Sequence, residues 1–418
     1  MKAHNVKSRK NDAPIGIERR GFLKSALVLG VSVSTGLVAT VTQAQPKNDR
    51  ISSSAMNPFL RVEENGDVVV LVGQTEMGQG TSTGLAMLIA DELGADWSRV
   101  RFEFVTGDPA YIHPLVYQNE QITGGSMSIV AFATPMRKAA AAAREMLIAA
   151  AASRWGVPVE RLVAINGVVR DTEDGTRSLP FNDLVVDAMR RPAPLDPELK
   201  ADSDLKLVGK PMLRLDAREK VDGSAVFGFD VDLPGMVYAA VRQAPTFGSD
   251  VETLDVVAAL AVKGVLGVHL IPNGFAVVAD QYWRAEQALD LVDVTWTPGK
   301  AQHRSTAEIE DALTAALDET GRTVRDVGDA SAALATSSVG RVLRADYAVP
   351  FLAHATMEPM NATAFVSNSA VELWVPTQAP TLDQNAVGAA LGVPAELVKI
   401  HMTYAGGGFG RRGFSEYA

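Results

Sequence analysis

The stretch Gly73-Gln74-Thr75-Glu76-Met77-Gly78-Gln79-Gly80 decides how the first part of the chain is read. Two extended runs precede it, Phe59 to Glu63 and Asp67 to Gly73, and the Asn65-Gly66 turn between them makes a β-hairpin. After it, Leu85, Leu88, Ile89 and Leu93 fall on one face of an amphipathic helix. Strand, glycine turn and helix start, in that order, present backbone N–H groups and the positive end of a helix dipole, a natural cradle for an anion. Gly73 and Gly78 have the spacing of a phosphate-binding P-loop, but Gln79 stands where lysine is required, which argues against a nucleotide hydrolase. Glu76 reads first as a carboxylate that stabilises the turn, and second as a titrating group.

A second glycine loop, Ala405-Gly406-Gly407-Gly408-Phe409-Gly410-Arg411-Arg412, follows a strand expected over Val398–Tyr404. Gly408, Gly410 and Gly413 formally spell the dinucleotide fingerprint, yet the sequence shows neither the helix nor the acidic residue that should follow. Three glycines before Phe-Gly suit a flat backbone that something bulky approaches closely.

Between these loops the chain alternates. Arg101 to Thr106 reads as a strand. Thr134 is an N-cap, with Pro135 at the first helical position, for an alanine-rich helix that Gly156 and Pro158 end. The charges of Arg137, Lys138, Arg144, Glu145 and Arg154 exclude a membrane span there. Residues 166–213 read as a connecting region. Short β segments follow at Ala225–Val231, Val237–Arg242 and Gly274–Ala279, with a helix near Trp283–Leu291, and a linker covers about 298–338. Strands at Arg341–Val349, Asn361–Val366 and Ala370–Val375 and a helix over Leu382–Leu391 complete the pattern. The fold class is α+β, in several domains.

Composition narrows the function. The 418 residues are 47% hydrophobic and 21% charged, enough for a sizeable core, and the net charge of -10 argues against a nucleic-acid partner. No cysteine is present, so an iron–sulfur cluster held by thiolates must sit in another polypeptide. The six histidines are scattered without ligand spacing. At the N-terminus, Arg19-Arg20-Gly21-Phe22-Leu23-Lys24, a weakly apolar run to about Val41 and Thr42-Gln43-Ala44 read as a twin-arginine signal over residues 1–44, implying export of a folded protein to the periplasm.

Gly406–Arg412, Thr377-Gln378-Ala379-Pro380, Leu391-Gly392-Val393-Pro394 and His354-Ala355-Thr356-Met357-Glu358-Pro359 stand close together in the last part of the sequence. Together they resemble the molybdopterin-binding large subunits of the xanthine dehydrogenase/aldehyde oxidase family. Lys220-Val221-Asp222-Gly223 through Leu233-Pro234-Gly235-Met236 resembles the opening of that family's α/β hammerhead domain. Glu76-Met77-Gly78-Gln79-Gly80 and Gln121-Ile122-Thr123-Gly124-Gly125-Ser126 resemble its cofactor-cradling segments, placed here ahead of the hammerhead as in the isoquinoline 1-oxidoreductase β-subunit group.

The resemblance implies a molybdopterin-binding-like segment at 56–165, a hammerhead domain at 214–300 and an incomplete molybdopterin-binding domain at 335–418. Cofactor contacts are implied for Gly78, Gln79, Gly80, Thr123, Gly124, Gly125, Ser126, Gln378, Gly407, Gly408, Phe409, Gly410 and Arg411. The cofactor would be molybdopterin in its cytosine dinucleotide form, and the pterin rather than the protein would ligate molybdenum. The implied reaction hydroxylates an N-heteroaromatic compound or oxidises an aldehyde, with water as oxygen source. Electrons would pass to a small 2Fe-2S subunit and on to an acceptor such as a cytochrome c. The family's general-base glutamate lies in a Gly-x-Gly-Glu stretch that this sequence lacks, so it is expected beyond Ala418, read as a truncation. Gly413 stands where purine-oxidising members carry glutamate, which disfavours xanthine. His354 and Glu358 read as polar anchors or pocket groups, and Arg411 and Arg412 as phosphate ligands or partners of acidic neighbours. The alternative is a non-catalytic periplasmic binding or assembly protein that shares the fold.

Overall fold

The computed structural model describes residues 55–117, 119–299, 304–335, 340–367 and 370–418. The expected twin-arginine segment lies outside the described residues. The chain divides into two compact units. One is Asp232–Val349; the other joins the described residues up to Val231 with Pro350–Ala418.

The larger unit begins with a sheet in the order β1 (Ala55–Asn57), β2 (Leu60–Val62), β3 (Val68–Val72), β4 (Val100–Phe104). The expected hairpin is β2–β3, turning at Gly66 with φ of 90°. β3 pairs in parallel with β4, Val68 opposite Val100, and the connection is the helix α1 (Thr81–Leu93). All five residues of β3 are buried, as its unbroken Val/Leu run requires of a strand covered on both faces. Leu85, Ile89 and Leu93 of α1 enter the same core as Phe132, Met136 and Leu147 of α2 (Ser128–Trp155). α2 starts ahead of the expected Thr134 cap and holds Pro135 in its interior. Ala131 and Phe132 are buried, and that burial offsets the hydrogen bond Pro135 cannot donate.

Residues 166–213 are more than a connection. They hold β6 (Val168–Asp171) and β7 (Ser178–Pro180), which form a meander with β5 (Leu162–Ile165), and α3 (Phe181–Met189). Phe181, Leu184, Val185 and Ala188 of α3 lie in the α1–α2 core. The Pro and Asp content marks the turns between these short elements. Further on, the Asp91 carboxylate accepts from the N–H groups of Lys206, Leu207 and Val208 and ties this stretch to α1.

The stretch 214–231, read with the hammerhead, groups instead with the larger unit. It contains α4 (Ala217–Asp222) and a short turn at Gly228–Asp230, with a single bridge from Phe227 to Tyr404 in place of the strand expected at Ala225–Val231. Hydrogen bonds from Arg214 to Glu76 and from Tyr404 to Glu219 hold it there.

In the smaller unit, β8 (Tyr238–Gln243), β10 (Val265–Ile271) and β11 (Gly274–Ala279) form an antiparallel sheet, and β9 (Val251–Asp255) pairs with β12 (Asp293–Trp296). α5 (Val257–Leu260) precedes β10, and α6 (Tyr282–Leu289) buries Ala285, Ala288 and Leu289 against Phe275 and Val277. The expected linker holds two helices with no buried residue, α7 (Thr306–Ala316) and α8 (Ala330–Ala335). Arg341–Val349 is not a strand: it pairs with no other strand among the described residues.

The larger unit resumes with β13 (Thr363–Val366), antiparallel to β14 (Val371–Val375). β14 runs parallel to β15 (Val398–Met402) through the crossover helix α9 (Pro380–Leu391). Thus β3, β14 and β15 each end at the carboxyl edge of a parallel pair, where α/β sheets place ligands.

Two glycines that end helices separate strain from collision. Gly94 (φ +79°) closes α1, and a Cβ there would lie 2.3 Å from the Ala164 carbonyl oxygen; Gly156 (φ +68°) closes α2 in open space. Gly156→Ala is expected to cost about 1 kcal/mol, and Gly94→Ala at least about 2 kcal/mol more, in urea unfolding.

Candidate functional site

The first glycine turn leaves β3, and its shape comes from Glu76. This fully buried carboxylate accepts from the N–H groups of Gly78 (2.9 Å), Gly80 (3.0 Å) and Ser82 (3.1 Å). The anion cradle seen in the sequence is therefore filled from within. Gln79 folds its side chain onto the same turn, accepting from Met77 N–H and donating to the Thr75 carbonyl.

The second glycine loop leaves β15 and meets the first. Ala405 N–H donates to the Glu76 carbonyl at 3.1 Å. A third segment, after β14, closes the group. Thr123 N–H donates to the Gln378 carbonyl at 2.7 Å, and Gln378 Nε2 donates to the Thr123 carbonyl at 2.9 Å. Thr75 N–H donates to Thr123 Oγ1 at 2.9 Å, and the Thr75 hydroxyl bonds the Thr377 carbonyl. A Cβ on Gly408 would lie 2.5 Å from Met77 Sδ and 2.7 Å from Gln378 Oε1, so both side chains would have to move to admit one. Gly78–Gly80, Thr123, Gln378 and Gly408 thus share one neighbourhood, although they come from four separate stretches of sequence.

Beneath the second loop lies an ion pair. The Arg412 side chain is fully buried; Nη2 meets Glu358 Oε2 at 3.0 Å, Nε donates to the Gly407 carbonyl at 2.7 Å, and Nη1 donates to the Pro376 carbonyl at 3.3 Å. Glu358 also accepts from Gly406 N–H (2.8 Å) and Asn361 Nδ2 (3.0 Å). Burial pulls the Arg412 guanidinium below the usual arginine range, and Glu358 opposes that pull. Glu358 and Arg412 are therefore structural anchors. His354 is exposed and does not join Glu358. Arg411 pairs with Glu416 at 2.5 Å.

Above this anchor Phe409 is 72% exposed and held at a φ of +55°, a conformation a bulky residue rarely adopts. Gly125 and Ser126, with φ of 59° and 57°, are likewise exposed beside Gly124. The Gln378 Oε1 atom is buried with no hydrogen-bond partner, an acceptor left facing the Gly408 backbone. An exposed strained loop over glycine and an orphaned acceptor fit a large planar ligand that brings donors of its own. Among the described residues no three His, Asp or Glu side chains gather as a protein-built metal site would need.

Sequence reasoning missed Arg214. It bonds Glu76 and the Gly78 carbonyl, and Asp216 and Glu76 raise its basicity against the pull of burial. Nothing local in the sequence marks it, because its partners lie in the first glycine turn.

Residues 8–229 match a family model described as a molybdopterin cofactor-binding domain, and residues 316–418 match a second one of the same description. The chain belongs to the molybdopterin cofactor-binding family. It is 31% identical over 442 residues to the isoquinoline 1-oxidoreductase subunit beta of Brevundimonas diminuta, covering 95% of this chain and 56% of that protein. It is 30% identical over 419 residues to the membrane-bound aldehyde dehydrogenase [pyrroloquinoline-quinone] of Gluconacetobacter polyoxogenes, covering 96% of this chain and 53% of that protein. The chain thus spans about half the length of these relatives. Among solved structures, quinoline 2-oxidoreductase of Pseudomonas putida 86 matches 49% of this chain and 31% of its own, at 22% identity and a TM-score of 0.38. Hydrogen bonds and close approach join the first glycine turn, Thr123, Gln378 and the start of the second glycine loop, while His354 stands exposed.

Two outcomes are expected. Arg412→Met leaves the Glu358 carboxylate buried without its cation and should cost about 3–5 kcal/mol in urea unfolding. Asp383, fully buried in the first turn of α9, has its carboxyl pushed up to about 6, chiefly by burial, with Glu416 adding to the shift and the Thr377 and Ser415 hydroxyls opposing it. A folded value above the unfolded one favours the protonated acid in the fold. Its contribution is therefore fullest below about pH 4 and is lost as pH rises through about 6. Asp383→Asn should raise stability by about 2–3 kcal/mol at pH 8 and leave it unchanged at pH 3.5.

Proposed function

We propose that the protein carrying this chain is a molybdenum-dependent oxidoreductase that oxidises an aldehyde or hydroxylates an N-heteroaromatic compound, with water as the oxygen source. The observation that carries this reading is the meeting of both glycine turns with Gln378 in a chain matched by two molybdopterin-binding models. The names of the relatives supply the substrate classes: one is an isoquinoline oxidoreductase subunit, another an aldehyde dehydrogenase. The latter's name carries pyrroloquinoline quinone, whereas both models that match this chain describe molybdopterin, and that favours the molybdenum cofactor.

When bound, the cofactor supplies a redox metal, carried on the pterin, that accepts two electrons from substrate. The chain's own residues bind and orient it. Gly407, Gly408, Phe409 and Gly410 offer a backbone surface, Gln378 a fixed acceptor, and the turns of Gly78, Gln79 and Gly80 and of Thr123, Gly124, Gly125 and Ser126 border the ligand. Arg411 is a further candidate for the cofactor's phosphate, in competition with Glu416. The cofactor is the cytosine dinucleotide form in this proposal. Electrons leave through a separate small 2Fe-2S subunit toward an acceptor such as a cytochrome c. Export by the twin-arginine route to the periplasm, after cytoplasmic cofactor loading, belongs to the same proposal. So does a hammerhead domain, within 232–300 of the smaller unit.

The test is the full natural protein, produced with its partner under molybdate-replete conditions. Molybdenum and a pterin in stoichiometric amount are expected; a quinone cofactor, or neither group, would contradict the proposal and favour a binding or assembly role. Gly408→Ala should keep the fold and lose most of the molybdenum, because its methyl group meets Met77 and Gln378 where the cofactor is held.

A further inference from the structure

Three amides at the start of α1 converge on one carboxylate of the same chain. Glu76 Oε1 takes the N–H groups of Gly78 and Gly80, and Oε2 takes that of Ser82. Arg214 Nη2 stands 2.8 Å from Oε1, and its Nη1 donates to the Gly78 carbonyl at 2.7 Å. Asp216 holds Arg214 at 2.7 Å and is itself held by Lys220 at 2.7 Å. Helix-start amides, a glycine turn and a guanidinium form the donor set that a phosphate takes at a phosphate-binding loop. Here that set is spent on a side chain of the chain itself.

We infer that Glu76 is the built-in anion of the first glycine turn, a positioning residue that with Arg214 sets the turn to shape before any ligand arrives. The carbonyl of Glu76 also receives Ala405 N–H, so the same residue fixes where the second turn begins. The anionic end of a ligand must then meet donors other than the amides of Gly78, Gly80 and Ser82. The inference rests on the proposed function only for the identity of that ligand, since the geometry of the turn is independent of it.

The melting temperature of the full natural protein and of its Glu76→Ala variant, with and without inorganic phosphate at matched ionic strength, tests this. The variant should melt at least about 5 °C lower. Phosphate at tens of millimolar should return at least about half of that loss, by entering the vacated cluster beside Arg214. The unmodified protein should respond much less. An equal response of the two proteins, or no response of the variant, would overturn the inference; a merely structural glutamate would give no rescue by phosphate. Should Glu76→Ala not fold, Glu76→Gln decides, since it keeps the shape and loses the charge. Its Gly78, Gly80 and Ser82 amides should exchange with solvent at least about tenfold faster than in the unmodified protein, and unchanged exchange would contradict the inference. Molybdenum measured on the same preparations keeps the two ideas apart: its absence from the unmodified protein counts against the proposed function alone.

Discussion

A guanidinium with no exposure to water must be surrounded by acceptors, and around Arg412 those acceptors come from three separate segments. The carbonyls of Gly407, Pro376 and Glu358 and the Glu358 carboxylate all point at it. Meeting that demand places the second glycine loop over the end of β14, next to Gln378. A buried ion pair of this kind adds little net stability over an apolar filling of the same volume. What it supplies is a fixed arrangement: a loop of glycines, free to adopt many shapes by itself, is left with one.

The same logic runs through the first turn, with the charges reversed. There a buried carboxylate gathers amides, and Arg214 balances it. The Thr123–Gln378 exchange links the first turn to the second loop, and Gln378 N–H donates to the Arg412 carbonyl. Because β3, β14 and β15 all release their loops at the carboxyl ends of parallel pairs, the loops face one another without long excursions. Glycine at 408 then keeps the space between Met77 and Gln378 clear of side chain.

Much of this was legible in the sequence where the signal is local. The Asn65-Gly66 hairpin, the α1 face and the strand–turn–helix order around Gly73–Gly80 follow from turn chemistry and periodicity. The anion cradle and Glu76 as a carboxylate that stabilises the turn were legible too, but not that Glu76 fills the cradle itself with Arg214 beside it, because Arg214 lies far off in sequence. Arg411 and Arg412 are indistinguishable as neighbours in sequence, yet one pairs at the rim with Glu416 and the other is buried on Glu358. The start of α2 and the elements within 166–213 were misjudged because long-range burial of Phe132, Phe181 and Leu184 outweighs the local breakers Pro135 and the Pro/Asp-rich turns.

The central claim is that one molybdenum-bearing pterin sits where both glycine turns and Gln378 meet. Anomalous scattering at the molybdenum edge, from crystals of the full natural protein, tests it most directly. The account predicts a single strong peak in the space bounded by Met77, Gln378 and the Gly408–Gly410 backbone. A peak remote from these residues would contradict it.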